Sequence, residues 1–231
     1  MKSTLETIAE RTGFSTSTVS RVLSGKSKDG RISEKTAGII RKAADEIGYT
    51  PNVLAQNLRK GRTFTIGLVV PDISNPYFAE ITSVIVAEAK KNGYTTIVTD
   101  TMENESAQRD SVCALVSRKV DGMIIVPCGS DPRFLEEINA QTSPVILVDR
   151  YFEDSRLPYV ATNNWQGGFD GTNILLRNAH RKIACIQGNL DSTPNRRRIE
   201  GYRAALRKAE LEEEERIVGN DFTVQNGYIE T

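Results

Sequence analysis

At 231 residues, with 39% hydrophobic and 26% charged side chains, the chain has the length for a small module plus a larger domain and enough apolar content for cores in both. No apolar run approaches the length that spans a bilayer, and Met1-Lys2-Ser3-Thr4-Leu5-Glu6 lacks the apolar centre of a signal peptide, so no membrane role and a cytoplasmic location are expected. Charge balances overall at 30 basic and 30 acidic residues, yet residues 1–62 hold 12 basic against 6 acidic side chains and the remainder 18 against 24, which suits a head that meets phosphates on a body that does not.

Leu5 to Leu23 reads as two short helices joined by a tight turn. Gly13 supplies the free backbone that such a turn needs, and Ser15 is placed to cap the second helix. Ile8 and Ala9 face Val19, Val22 and Leu23, leaving Thr16, Ser17, Ser20 and Arg21 on the outer face, where hydroxyls and a guanidinium suit base-pair edges. A plain helical hairpin with a solvated polar face is the alternative. A third helix is expected from Ser33, with Ala37, Ile40, Ala44 and Ile47 at helical spacing and Gly48 at its end. Pro51 stops continuation, and Asn52 to Arg59 has helix-forming composition but only about two turns, marginal in water unless something holds it.

From Arg62 the pattern alternates strand and helix. Thr65 to Val70 is an apolar run suited to a buried parallel strand, and Pro76 opens a helix to about Asn92. Strands over Tyr94 to Thr99, Gly122 to Val126 and Pro144 to Val148 alternate with helices near Ser106 to Arg118 and Pro132 to Ala140. A second series runs through a helix over Trp165 to Asn178, a strand over Lys182 to Gln187, a helix over Arg196 to Ala209 and a strand over Glu215 to Val218. The expected class is α/β: a three-helix head, a hinge helix, and a two-lobed body with parallel doubly wound sheets. Because so small a second sheet would be poorly buried, its lobe is expected to be incomplete and the chain a fragment ending at Thr231; a complete chain with a small second lobe is the alternative.

Cys113, Cys128 and Cys185 are scattered and read as core residues, giving no disulfide framework or zinc site. His180, the only histidine, falls in a helix-to-strand turn where a cation complements a helix end. No metal or cofactor is expected, and no paired catalytic constellation stands out. A dinucleotide-dependent enzyme is disfavoured because strand Ile66 to Val70 leads into Pro71-Asp72-Ile73-Ser74-Asn75-Pro76, where a glycine-rich phosphate loop would be required. A periplasmic sugar-binding protein would share the body but have no use for residues 1–61.

The chain resembles the lactose-repressor family of bacterial transcription regulators. The resemblance rests on Ile8-Ala9 with Gly13, Thr18-Val19-Ser20-Arg21-Val22-Leu23, Ile32-Ser33-Glu34-Lys35-Thr36, Gly48-Tyr49-Thr50-Pro51-Asn52 and Ala55 with Leu58. In the body it rests on Ile66-Gly67-Leu68-Val69, Asp72 with Asn75-Pro76-Tyr77-Phe78, Val120-Asp121-Gly122 and His180-Arg181-Lys182-Ile183. It implies a head at 1–48, a hinge at 49–61, a first lobe at 62–161 and a partial second lobe at 162–231 of a periplasmic-binding-protein-like body.

By the same resemblance, Thr16, Ser17 and Arg21 read bases in the major groove, while Thr4, Ser20, Ser24, Arg31 and Asn52 meet the DNA backbone. Ala55 and Leu58 form the hinge's minor-groove wedge, with an ordinary contact onto the body as the alternative for Leu58. Phe78, Asp149, Arg150, Arg198 and Phe222 fall at strand ends or helix starts facing a cleft between lobes, the place where open α/β sheets bind ligands. A sugar or sugar derivative is the expected effector, with a purine as the alternative. The alternative for Asp149-Arg150 is a plain ion pair within a turn, and one arginine of Arg196-Arg197-Arg198 is expected to point inward while the others are solvated. The implied function is a regulator of transcription, a repressor and homodimer on a near-palindromic operator of double-stranded DNA, controlled by that effector.

Overall fold

A computed structural model describes residues 4–25, 32–49 and 61–231. The chain divides into two compact units, Met1–Gly61 and Arg62–Thr231. The predicted sites Arg31, Asn52, Ala55 and Leu58, and the expected hinge helix, lie outside the described residues.

In the first unit, helices α1 (Leu5–Thr12), α2 (Thr16–Leu23) and α3 (Glu34–Glu46) each begin at a hydroxyl cap. The side chains of Thr4, Ser15 and Ser33 accept from the backbone N–H groups of Thr7, Thr18 and Thr36, each at 3.2 Å. Gly13 closes α1 in the left-handed region at φ +72°, donating its N–H to the Ala9 carbonyl at 2.9 Å, and so turns the chain into α2. Ile8, Val19, Val22, Ala37, Ile40, Ala43 and Ala44 form the core. So small a core depends on its good local caps.

The second unit holds two parallel sheets. The first has the order β2-β1-β3-β4-β5, from β1 (Thr65–Val70), β2 (Thr95–Asp100), β3 (Gly122–Ile125), β4 (Val145–Val148) and β5 (Tyr159–Val160). Crossover helices α4 (Pro76–Lys91), α5 (Glu105–Ser117) and α6 (Arg133–Gln141) connect its strands. Met123, Ile125, Val145 and Leu147 are buried with Val112, Leu115 and Leu135, the core beneath α5 and α6. Alternation turns Ile146 to the opposite face, where it is 43% exposed. Asp121 fastens the entry to β1: its carboxylate accepts from the N–H groups of Thr63 and Phe64 at 2.6 and 3.0 Å.

The second sheet pairs β6 (Ala184–Ile186) with β7 (Arg216–Val218). It is accompanied by α7 (Asn164–Arg177), α8 (Thr193–Lys208) and a short α9 (Val224–Ile229). Ile183, Tyr202 and Leu206 make its buried cluster, and the Tyr202 hydroxyl donates to the Ile183 carbonyl at 2.7 Å.

Several sequence expectations are corrected. Helix α8 starts at Thr193 rather than Arg196 because Pro194 seats in its first turn, where a missing N–H costs nothing. Strand β5 was not expected, since two residues carry no periodicity. Cys113 is exposed and Cys185 half-buried, so only Cys128 is a fully buried residue of the three.

Helices α7 and α8 cross at glycines. A Cβ on Gly168 would lie 2.1 Å from the Arg198 carbonyl oxygen, and one on Gly201 would lie 2.0 Å from that of Trp165, whereas Gly167 has open space. Gly168→Ala should therefore lower stability by about 1–3 kcal/mol or more through overpacking. Gly167→Ala should leave it unchanged or raise it by up to about 1 kcal/mol through helix propensity. Urea unfolding of the two variants checks this, and coincident midpoints would contradict the crossing.

Candidate functional site

Five of the predicted residues come together. Phe78, Asp149, Arg150, Arg198 and Phe222, drawn from α4, the turn after β4, α8 and the segment after β7, all line one cavity of about 370 Å³. The parallel strands explain the convergence, because their carboxyl ends and the helix starts that follow share one edge.

The loop from β1 to α4 is set by local bonds. The Asp72 carboxylate accepts from the Ser74 N–H at 2.8 Å and its hydroxyl at 2.6 Å, which holds the Asp72 pKa below the ordinary carboxylate value. Asn75 then caps α4 by accepting from the Tyr77 N–H at 3.0 Å, with Pro76 in the first turn. This places buried Phe78 and half-exposed Tyr77 at the cavity, their rings edge to face at 5.2 Å.

After β4, Asp149 adopts φ +63°, a left-handed conformation that aspartate tolerates better than most residues. Its N–H donates to the Val160 carbonyl at 2.9 Å and the next N–H, of Arg150, donates to Val148 at 2.7 Å. The Tyr77 hydroxyl donates to the Asp149 carboxylate at 2.7 Å.

Arg150 is not the partner of Asp149 in a turn ion pair. Its two terminal nitrogens donate to the two carboxylate oxygens of Glu103, both at 2.6 Å, and only 7% of the residue is exposed. Its guanidinium carbon lies 5.4 Å from the centre of the Phe78 ring and 5.5 Å from that of Phe222, within reach of cation–π attraction to both. Burial works to lower the Arg150 pKa, but the Glu103 bonds and charge outweigh it and the net shift is upward.

The remaining arginines divide differently from expectation. Arg198 lines the cavity, its Nε–H donating to the Pro194 carbonyl at 3.2 Å. Arg196 and Arg197, expected to be simply solvated, both pair with Glu153, and Arg197 also meets Glu200 at 2.8 Å. Phe222 sits over Gly188, where a Cβ would come within 1.9 Å of its ring, so only glycine leaves the ring room.

Sequence reasoning did not single out Tyr77, Thr162, Asn164 or Ser192, which also line this cavity. The Ser192 hydroxyl is buried without a hydrogen-bond partner among the described residues. The capped Asn75-Pro76 helix start is the signal that could have found Tyr77; a lone serine ahead of a helix gives no such signal.

On the head, Thr16, Ser17 and Arg21 are exposed on α2, and Ser20 is half-buried beside them. The Ser17 hydroxyl is 2.9 Å from that of Ser15, Thr4 is the α1 cap, and Ser24 donates to the Arg21 carbonyl at 3.2 Å. Among the described residues Arg21 makes no ion pair. No group of three or more His, Cys, Asp or Glu suited to a metal occurs among them, and no described helix is long and apolar enough to cross a membrane.

The fold combines a capped helix-turn-helix head with a parallel α/β body that carries a polar, aromatic-walled cleft. Residues 63–225 match the family of periplasmic binding proteins and the sugar binding domain of the LacI family, and residues 4–52 match the bacterial regulatory proteins of the lacI family. The chain belongs to the LacI family.

It is 32% identical over 210 residues to the ribose operon repressor of Escherichia coli K12, covering 90% of this chain and 62% of that protein. It is 30% identical over 227 residues to the repressor CytR of the same strain, covering 97% and 65%. It is 31% identical over 216 residues to the repressor PurR of Vibrio atlanticus, covering 93% and 64%. The chain thus spans less than two thirds of these curated relatives. Among solved structures, the lac repressor dimer bound to operator and the anti-inducer ONPF has a TM-score of 0.86 at 24% identity, covering 99% of this chain and 68% of that one. A LacI regulator from Alkaliphilus metalliredigens complexed with D-xylulofuranose has a TM-score of 0.62 at 28% identity, covering 70% and 59%.

The Tyr77–Asp149 bond makes a pH prediction. Desolvation first, and then the bond and charge of Asp149, raise the tyrosine pKa from 10.0 to about 12. Its contribution to stability is therefore complete below pH 10 and lost as pH climbs through about 12. Subtracting a Tyr77→Phe absorbance titration from that of the parent chain should isolate an ionisation near pH 12; one near pH 10 would contradict the bond.

Proposed function

We propose that this chain acts as a sequence-specific DNA-binding regulator of transcription, a repressor, whose hold on its operator is set by a sugar or sugar derivative in the body's cleft. The observation that carries this reading is the convergence of Phe78, Asp149, Arg150, Arg198 and Phe222 on a single cavity. A carboxylate and guanidiniums can share the hydroxyls of one small molecule while aromatic rings cover its C–H face. Relatives named for ribose regulation and a related regulator holding D-xylulofuranose support a sugar as the class.

The head, residues 1–48, presents α2 to the major groove, with Thr16, Ser17 and Arg21 toward bases. Thr4, Ser20, Ser24, Arg31 and Asn52 meet phosphates or sugars, and Ala55 and Leu58 of the hinge, 49–61, enter the minor groove. Lobes 62–161 and 162–231 hold the effector. The regulator works in the cytoplasm as a homodimer on a two-fold symmetric site, in keeping with the symmetry of a near-palindromic operator.

Anisotropy titrations on selected palindromes and on random duplex, across salt, test this reading. Arg21→Ala should cost about 1–3 kcal/mol on the preferred palindrome and relax its preference at one base position. Leu58→Ala should weaken the palindrome far more than random duplex, since a wedge acts only where the step yields. Equal losses on both DNAs for either variant would overturn the role given to that residue.

A further inference from the structure

Arg150 belongs to two cavities. Beside the cleft lies a smaller one of about 190 Å³, lined by Glu103, Glu153, Asn189 and Arg196, and Arg150 and Ser192 line both. Glu103 lines only the smaller one. The bidentate Arg150–Glu103 pair therefore stands in the wall between them.

The backbone presenting Glu103 is unusual. Met102 and Glu103 take successive positive φ values of 49° and 55°, rare for residues with a Cβ. The Glu103 N–H is tied to the Pro71 carbonyl at 2.8 Å, and the Met102 N–H to the Asp100 carboxylate at 2.9 Å. The loop is thus fixed at both residues, and the carboxylate is delivered to Arg150 from the side away from the cleft.

We propose that Glu103 is a specificity-determining positioning residue: it pins the Arg150 guanidinium in the wall, so that the cleft takes a single sugar ring and the smaller cavity is closed to a second one. This rests on the reading of the cleft as a sugar site. An arginine has five N–H donors; two go to Glu103, and the other three have no protein partner among the described residues. Pinning the fork fixes where those three lie. Phe78 and Phe222, whose ring centres lie 5.4 and 5.5 Å from the guanidinium carbon, flank it from the cleft side. Without the carboxylate the guanidinium loses its anchor, and the wall yields toward the space Glu103 occupied.

Calorimetric titration of the full chain with D-ribose and with cellobiose, a two-ring sugar, tests this. The parent chain should bind ribose and discriminate strongly against cellobiose, and Glu103→Ala should cut that ratio at least tenfold. A loss of fold alone would weaken both sugars together and leave the ratio where it was. Should Glu103→Ala not fold, Glu103→Gln carries the same comparison, because it keeps the volume and removes the charge that holds the fork. An unchanged ratio in the folded variant, or cellobiose bound by the parent as tightly as ribose, would overturn the wall and leave the sugar reading intact. Failure of the parent chain to bind either sugar would overturn both.

Discussion

All strands of a parallel sheet run the same way, so their carboxyl ends, and the turns that follow them, must share one edge. The site depends on that constraint. The turns after β1, β2 and β4 deliver Phe78, Glu103 and Arg150 from positions far apart in sequence, and the second sheet adds Arg198 and Phe222. Crossover helices enforce the arrangement, since parallel neighbours cannot be joined by a tight hairpin. The left-handed turns at Glu103 and Asp149 are where the edge departs from regular geometry, and both aim a charged side chain.

Burying a guanidinium is costly unless its charge is matched. Arg150 is buried but the Glu103 side chain is 37% exposed, so losing Glu103 strands the arginine's charge at less than the about 3–5 kcal/mol typical of a fully buried pair. The structure meets the requirement with two short, parallel hydrogen bonds and two flanking aromatic rings. The pair is thus a weak source of net stability and a strong source of fixed geometry. The head solves the opposite problem, a core too small to dominate, by capping every described helix with a hydroxyl.

The elements were legible in the sequence where local chemistry and periodicity agree. Ser15 and Ser33 before helical spacing and Gly13 after it each fix a boundary by a bond the structure displays, and Pro76 sits in the first turn of α4 as read. Short pieces were not legible: β5 is two residues long, and Pro194 was needed to see that α8 starts early. Five of the residues lining the cleft were indicated by the family resemblance, which puts strand-end charges and helix-start aromatics there. Glu103 was not, because its importance comes from a contact with Arg150 across 47 positions, in a loop where acidic residues are ordinary. Cys113 shows the same limit, since small apolar character alone does not say which face of a helix it occupies.

The proposed regulator requires the cleft to speak to the DNA-reading head, and a coupling of about 1–3 kcal/mol would shift occupancy five- to a hundredfold. The most direct measurement is the affinity of the chain for its selected palindrome at fixed salt, with and without saturating D-ribose. A change of at least fivefold is predicted, abolished by Arg198→Ala in the cleft. A sugar that binds the cleft and leaves the DNA affinity unchanged would contradict it.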